Sequence, residues 1–201
     1  MNDERIVTVF GSSRPCEGDA DYVEARELGR RLAERGFAVC SGGYGGVMEA
    51  ASRGAKEAGG KTYGVTAEFF GRKVNQWVDV EVRKKTWEER LFELIRLADG
   101  FVACKGGTGT LVELAVVWEM LNKSVMARKP FAVLGNFWQP ILERVREVEQ
   151  GPRSSSASGF GAKPTGIWCT LWRHRKRRPG TWPWNGSEAS RENVSIGASR
   201  T

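Results

Sequence analysis

Histidine is almost missing from this chain: the only one, His174, stands in the last thirty residues. Its absence from residues 1–150 excludes a Ser-His-Asp or Cys-His mechanism and a histidine-ligated metal there. Cysteine is also sparse, with four residues far apart and no C-x-x-C spacing: Cys16, Cys40, Cys104 and Cys169. This usage predicts reduced thiols in a cytoplasmic protein, without a disulfide framework or a metal site.

Long apolar runs and a dinucleotide fingerprint are missing too. No apolar run approaches the ~18 residues of a membrane span, and the polar N-terminus leads directly into a predicted strand, so we expect neither a signal peptide nor a membrane partner. The Gly-x-Gly-x-x-Gly pattern does not follow the first predicted strand, and no acidic residue ends the second. An NAD-dependent enzyme is therefore disfavoured.

Positive charge is unevenly distributed along the chain. Residues 1–151 carry equal numbers of basic and acidic side chains, so the whole formal excess of +7 belongs to residues 152–201. The basic character is thus a property of the last fifty residues. The first 150 give no reason to expect a nucleic-acid partner.

Composition divides the chain into residues 1–150 and residues 151–201. The second part is rich in Ser, Gly, Arg and Trp and shows neither a helical nor a strand period. It could be a basic, aromatic arm for nucleic acid, a contact for an anionic surface, or the product of out-of-frame translation. We favour the last interpretation and predict that this tail is not part of the core fold.

Short β-branched runs alternate with segments of helical period throughout the first 150 residues. The predicted strands are 5–10, 37–40, 61–66, 77–82, 100–104 and 130–134, and the predicted helices are 20–35, 47–58, 86–97, 109–122 and 137–148. Thr86 and Glu89 form a capping-box pattern. Such alternation predicts an α/β, Rossmann-like, doubly wound fold, with a mainly parallel sheet and helices on both faces.

The central motif is the stretch Cys-Lys-Gly-Gly-Thr-Gly-Thr-Leu-Val-Glu at residues 104–113. It predicts a strand, a glycine-rich turn and a helix N-terminus, where unpaired N–H groups and the helix dipole attract phosphate. Two further glycine-rich turns, at residues 11–13 and 41–46, should meet it at the carboxyl ends of the strands. Together they suggest a nucleotide or sugar phosphate. The alternative for the central turn is a tight βα connection without a ligand.

Three ordered motifs over about residues 5–150 resemble the LOG family. They are the 41–51 stretch Ser-Gly-Gly-Tyr-Gly-Gly-Val-Met-Glu-Ala-Ala, Arg90 nine residues before Asp99, and Gly-Gly-Thr-Gly-Thr-x-x-Glu ending at Glu113. This family comprises cytokinin riboside 5′-monophosphate phosphoribohydrolases, also labelled lysine decarboxylase-like. The resemblance implies a cytoplasmic Rossmann-fold homodimer that hydrolyses the N-glycosidic bond of a purine nucleoside 5′-monophosphate, without a cofactor or metal.

The resemblance also assigns roles to individual residues. Arg90 and Glu113 match the catalytic arginine and glutamate. The matches to the nucleotide and phosphate contacts are Gly11, Ser12, Gly43, Gly46, Gly106, Gly107, Thr108, Gly109 and Thr110. Structural alternatives remain open for the catalytic pair, since Arg90 could be a surface residue of its helix and Glu113 a partner of the helix dipole.

Two departures from the family pattern concern the ligand site. Lys105 replaces the proline before the central Gly-Gly, and Leu91 replaces the lysine after the family arginine. They motivate an alternative function, a non-catalytic carrier of a nucleotide or pterin-type cofactor on the same fold. A true lysine decarboxylase is disfavoured because the chain is short and shows no Schiff-base lysine context.

Overall fold

The computed structural model describes residues 4–149, so the predicted tail at 151–201 and the domain boundary before it lie outside the described residues. The strands are β1 (Ile6–Phe10), β2 (Ala38–Ser41), β3 (Thr62–Ala67), β4 (Val80–Lys84), β5 (Gly100–Ala103) and β6 (Phe131–Val133). The helices are α1 (Ala20–Glu34), α2 (Val47–Glu57), α3 (Trp87–Leu97), α4 (Thr108–Asn122) and α5 (Gln139–Glu149). A 3₁₀ turn, Glu68–Phe70, follows β3. Among these elements, none is a helix long and apolar enough to cross a membrane.

All six strands are parallel and lie in the order β4-β3-β2-β1-β5-β6. The chain moves outward from β1 to β4 and then returns through α3 to the other side of β1. The carboxylate of Asp99 accepts a hydrogen bond from the Ile6 N–H at 2.7 Å, which ties the start of β5 to β1. The direction of winding therefore reverses between β1 and β5, the place where open parallel sheets bind ligands.

Helices cover both faces of the sheet, as predicted. Helices α1 and α2 pack on one face, where alternate strand residues such as Val7, Val9 and Val39 are fully buried. Helices α3, α4 and α5 pack on the other face around Phe10 and Phe101. Strands β1, β2 and β5 are thus buried along their whole length, which explains why they read as continuous apolar runs, whereas the edge strand β4 is only partly covered.

Local sequence signals give most of the element boundaries. The predicted capping box is present, because Thr86 Oγ1 accepts from the Glu89 N–H and the Glu89 carboxylate accepts from the Thr86 N–H. The predicted strand at 77–82 is present but its bounds are wrong, since the strand is Val80–Lys84. The side chain of Asp79 accepts from the Thr62 N–H, and Thr62 Oγ1 donates to the Trp77 carbonyl, which holds residues 77–79 in a turn.

Candidate active site

A cavity of about 820 Å³ opens at the carboxyl ends of β1, β2, β3 and β5. This volume is in the range of small-molecule sites. The lining comprises Gly11, Ser12, Ser13, Arg14, Pro15, Asp19, Asp21, Tyr44, Met48, Phe70, Arg72, Trp87, Arg90, Lys105, Gly106, Gly107, Thr108, Gly109, Thr110, Glu113 and Phe137. Of the eleven residues assigned to the site from sequence, nine line this cavity; the exceptions are Gly43 and Gly46.

Arg90 reaches the cavity from α3 and is only 6% exposed. Its Nε donates to the Val65 carbonyl at 2.8 Å, and its Cζ lies 5.5 Å from the ring centre of Tyr44 and 5.7 Å from that of Phe70. The idea that Arg90 is a surface residue of its helix is therefore wrong. A buried arginine held by one carbonyl and two aromatic rings is preorganised for an anion or a carboxylate.

Glu113 projects from the second turn of α4 towards this arginine. Its Oε1 lies 3.7 Å from Arg90 Nη1, and 14% of its side chain is exposed. Burial raises the pKa of the Glu113 carboxyl to about 7, and the Arg90 guanidinium only partly counteracts this effect. Near neutral pH the carboxyl is therefore present in both protonation states, which suits a group that moves a proton or stabilises a developing positive charge.

The turn between β5 and α4 leaves a helix N-terminus open to the cavity. Gly107 occupies the N-cap position, and no side chain among the described residues caps α4. Neither Gly107 nor Gly109 has a positive φ, and a Cβ built at either would meet nothing within 4 Å. Packing inside the protein therefore does not explain these two glycines, whereas close approach of an external anion would.

The other two glycine-rich turns contact one another behind the cavity wall. The Ser12 carbonyl accepts from the Val47 N–H at 2.8 Å, and the Ser12 N–H donates to the Lys105 carbonyl at 3.2 Å. Gly43 and Gly46 have φ values of 76° and 72° and pack against neighbouring backbone. The structure thus gives them a conformational role, and direct contact of either with a nucleotide stays a prediction.

Several aromatic and cationic residues of the cavity were not identified from the sequence. Tyr44 and Met48 both contact Arg90, and Phe70, Trp87 and Phe137 contribute three further aromatic side chains. Arg14 and Arg72 add two exposed cations. No local pattern marks them, because Met48 and Trp87 lie in helices and the buried Tyr44 and Met48 resemble ordinary packing residues.

The two departures from the family pattern have different surroundings. Lys105 lines the cavity, and its Nζ lies 2.9 Å from Asp21 Oδ2, so the ion pair holds the β5–α4 turn near the start of α1. Leu91 is 3% exposed and belongs to the core beneath α3. Position 91 therefore offers no charge to a ligand.

No group of three or more His, Cys, Asp or Glu side chains within residues 4–149 could hold a metal ion. The Cys40 and Cys104 thiols are buried, and burial raises the pKa of Cys40 to about 12. The functional groups that face the cavity are thus carboxylate, guanidinium, ammonium, hydroxyl and backbone N–H groups. They define the class of the protein: a Rossmann-like domain with a glycine-rich turn before an uncapped helix and an arginine–carboxylate pair.

The chain belongs to the SLOG cluster4 family, whose model matches residues 4–153. Cytokinin riboside 5′-monophosphate phosphoribohydrolase LOG of Oryza sativa subsp. japonica is 35% identical over 146 residues, covering 69% of this chain and 58% of the rice protein. An uncharacterized protein of Archaeoglobus fulgidus is 31% identical over 131 residues, covering 64% of this chain and 82% of the relative. The predicted LOG-family resemblance is therefore confirmed, and the chain spans little more than half of the rice enzyme.

Solved structures support the same fold. The molybdenum cofactor binding protein from Rippkaea orientalis superposes with a TM-score of 0.61 at 28% identity, covering 72% of this chain and 86% of that one. The molybdenum cofactor carrier protein from Chlamydomonas reinhardtii superposes with a TM-score of 0.57 at 28% identity, covering 73% and 84%. The predicted Rossmann-like α/β fold is confirmed. The proteins similar to this chain include one named as a phosphoribohydrolase and others named as molybdenum cofactor binding or carrier proteins.

Proposed function

We propose that this protein hydrolyses the N-glycosidic bond of a purine nucleoside 5′-monophosphate, releasing the base and ribose 5-phosphate. The observation that carries the proposal is the Arg90–Glu113 pair, at 3.7 Å, in the same cavity as an uncapped helix N-terminus. The N–H groups of the first turn of α4, with the Thr108 and Thr110 hydroxyls, would bind the phosphate. The named LOG relatives support this assignment.

Glu113 would act at the sugar once the phosphate is bound. Cleavage of an N-glycosidic bond leaves positive charge on the ribose ring, and a carboxylate in a site shielded from water stabilises that charge strongly. The ionised carboxylate could also orient the attacking water. Arg90 favours the ionised form and can hold a ribose or phosphate oxygen through its remaining N–H groups.

The test is release of base from AMP and from its N6-prenylated form, followed by chromatography. Glu113→Gln keeps the shape of the side chain but removes its charge, so we expect base release to fall by about 100-fold or more while AMP still binds. Gln139→Ala, a substitution outside the cavity lining, is the control and should leave release unchanged. A wild-type protein that binds AMP without releasing base would refute the hydrolase proposal.

A carrier function is the second candidate, favoured by the named molybdenum cofactor proteins among the structural neighbours. The same turn would hold the phosphate of a nucleotide or pterin-type cofactor, and the aromatic side chains of Phe70, Trp87 and Phe137 would flank its ring system. A bound ligand recovered chemically unchanged after prolonged incubation with the protein would support this function.

We also propose that the protein forms a homodimer through α3 and α4. Phe92 is 53% exposed, and Val112 and Val116 are only partly buried. Trp118 in α4 is 6% exposed and belongs to the core, so it does not contribute to this surface. Light scattering should give twice the chain mass for the wild type and the chain mass for Phe92→Asp.

A further inference from the structure

Gly42 lies against the Arg90 guanidinium, at the end of β2. A Cβ built at this position would overlap Nη2, approach Cζ to 3.0 Å and lie 2.6 Å from Met48 Sδ. Gly42 is not among the described glycines with positive φ, unlike Gly43 and Gly46. Space for the guanidinium therefore requires glycine here, whereas the backbone conformation does not.

Other neighbours also restrict the position of the guanidinium. Nε donates to the Val65 carbonyl at 2.8 Å, Nη2 lies 4.0 Å from Met48 Sδ, and two aromatic rings lie within 6 Å of Cζ. Nη1 is the nitrogen that faces Glu113. With these neighbours in place, a side chain at position 42 would force the whole group out of its location.

We propose that Gly42 is a positioning residue: by leaving room for Nη2, it fixes the Arg90 guanidinium and thereby the separation between Arg90 and Glu113. The residue need not touch a ligand to have this effect. The proposal concerns the geometry of the pair and does not depend on whether the protein is a hydrolase or a carrier.

The turn itself offers a matched pair of variants. Gly42→Ala adds a methyl group where the guanidinium lies. Gly45→Ala adds the same group three residues later, at a position that also lacks a positive φ. There the nearest atoms, Glu49 Oε2 and the Ser13 carbonyl oxygen, would be 3.8 and 3.9 Å away, which is ordinary van der Waals contact.

The first readout is the pKa of Glu113, measured by NMR on protein labelled at the glutamate carboxyl carbon and assigned with Glu113→Gln. Other charged groups line the cavity (Arg14, Asp19, Asp21, Arg72 and Lys105), but Arg90 is the one whose charge shifts the pKa of Glu113. We expect this pKa to rise by about one unit in Gly42→Ala, because a displaced guanidinium favours the ionised carboxyl less. It should stay at the wild-type value in Gly45→Ala.

A lower pKa of Glu113 in Gly42→Ala, with no change in Gly45→Ala, would also support the proposal. It would mean that the methyl group pushes the guanidinium towards the carboxyl. Equal pKa values in wild type and Gly42→Ala would overturn it. An inactive wild-type protein would refute the hydrolase proposal but leave this comparison intact, so the two failures are distinguishable.

A double-mutant cycle covers the case in which Gly42→Ala folds poorly. An Arg90→Ala background removes the closest overlap, with Nη2, and leaves only the close approach to the flexible Met48 side chain. Gly42→Ala should therefore lower the unfolding temperature much less there than in the wild-type background. The same loss in both backgrounds, or failure to fold in both, would show that position 42 clashes with something other than Arg90 and would overturn the proposal.

Discussion

The β2–α2 turn and the β5–α4 turn are both rich in glycine, but the glycines serve different purposes. In the first, a Cβ at Gly42 or Gly46 would overlap atoms of the protein itself. In the second, a Cβ at Gly106 would overlap a neighbouring side chain, but Gly107 and Gly109 have nothing within 4 Å and no positive φ. The first turn is therefore packed against the protein at Gly42 and Gly46, whereas the second leaves open space at Gly107 and Gly109.

The two turns also differ in how they begin their helices. The Val47 N–H at the start of α2 donates to the Ser12 carbonyl, so the protein satisfies it. Neither helix has a side-chain cap. Within residues 4–149, no backbone carbonyl accepts a hydrogen bond from the first three N–H groups of α4. Similar sequences thus produce one helix start that is part of the scaffold and one that is available to a ligand.

The largest expected effect is the destabilisation caused by Gly46→Ala. Gly46 has φ 72° and ψ −136°, a conformation that is nearly restricted to glycine, and its Cβ would overlap the Ser12 carbonyl oxygen. We expect the free energy of unfolding to fall by about 3 kcal/mol or more, measured by denaturant titration. Gly45→Ala is the control. A loss below about 0.5 kcal/mol would remove the distinction between the turns.

The next largest effect concerns the Arg90–Glu113 pair. Arg90 lies against the β2–α2 turn, and Glu113 lies in α4, which follows the β5–α4 turn. Because burial raises the pKa of Glu113 from 4.5 to about 7, the folded state binds this proton more tightly than the unfolded state. The protonated carboxyl therefore contributes to the free energy of unfolding. This contribution is fully present below about pH 4.5 and is lost as the pH rises to about 7. Between pH 5 and 8 we therefore expect wild type to lose on the order of 2 kcal/mol relative to Glu113→Gln.

The measurement is the unfolding free energy of both proteins at several pH values. The difference between them isolates the titration of Glu113, since other groups titrate in both. A difference that is independent of pH would show that Glu113 has an ordinary pKa, and that the pair is better solvated than the structure indicates.

A smaller effect of opposite sign is expected for Gly109→Ala. This glycine is the second residue of α4, and alanine in an open helical position should raise the free energy of unfolding by about 0.5–1 kcal/mol. The same methyl group should weaken AMP binding by about tenfold, because it occupies the space through which phosphate approaches the helix N–H groups. Calorimetry checks both quantities, and unchanged affinity would argue against phosphate at this turn.

The smallest effect is expected for Lys105→Ala. The ion pair with Asp21 joins an exposed lysine to a partly exposed carboxylate, and such pairs contribute little to stability. We expect an unfolding midpoint indistinguishable from the wild type and a modest loss of AMP affinity that disappears at high salt. Asp21→Asn is the matched control, since it should free Lys105 and leave or improve binding.

Sequence patterns predicted the fold well because its signals are local. The capping box at Thr86 and the β-branched runs each act within a few residues, and both are present in the structure. The bounds of β4 were wrong because its start depends on hydrogen bonds between Thr62 and Asp79, which are seventeen residues apart.

Only those residues of the candidate site that belong to a sequence motif could be predicted. Residues of the β5–α4 turn, Arg90 and Glu113 fell into recognisable patterns. The contacts of Arg90 with Tyr44 and Phe70, and the absence of Gly43 from the lining, depend on how three loops meet. The overlap between position 42 and Arg90 involves residues far apart in the chain, so no local pattern encodes it.

The central place of β1 has a consequence for the newly synthesised chain. β1 leaves the ribosome well before one of its two neighbours, β5, which pairs Gly100 with Val7. Until then the crevice between them has a single wall, and neither the turn at residue 105 nor Glu113 exists. A nascent chain that has completed β4 can bury much of one face of the sheet, but its ability to bind a ligand arises only when α4 has emerged and docked.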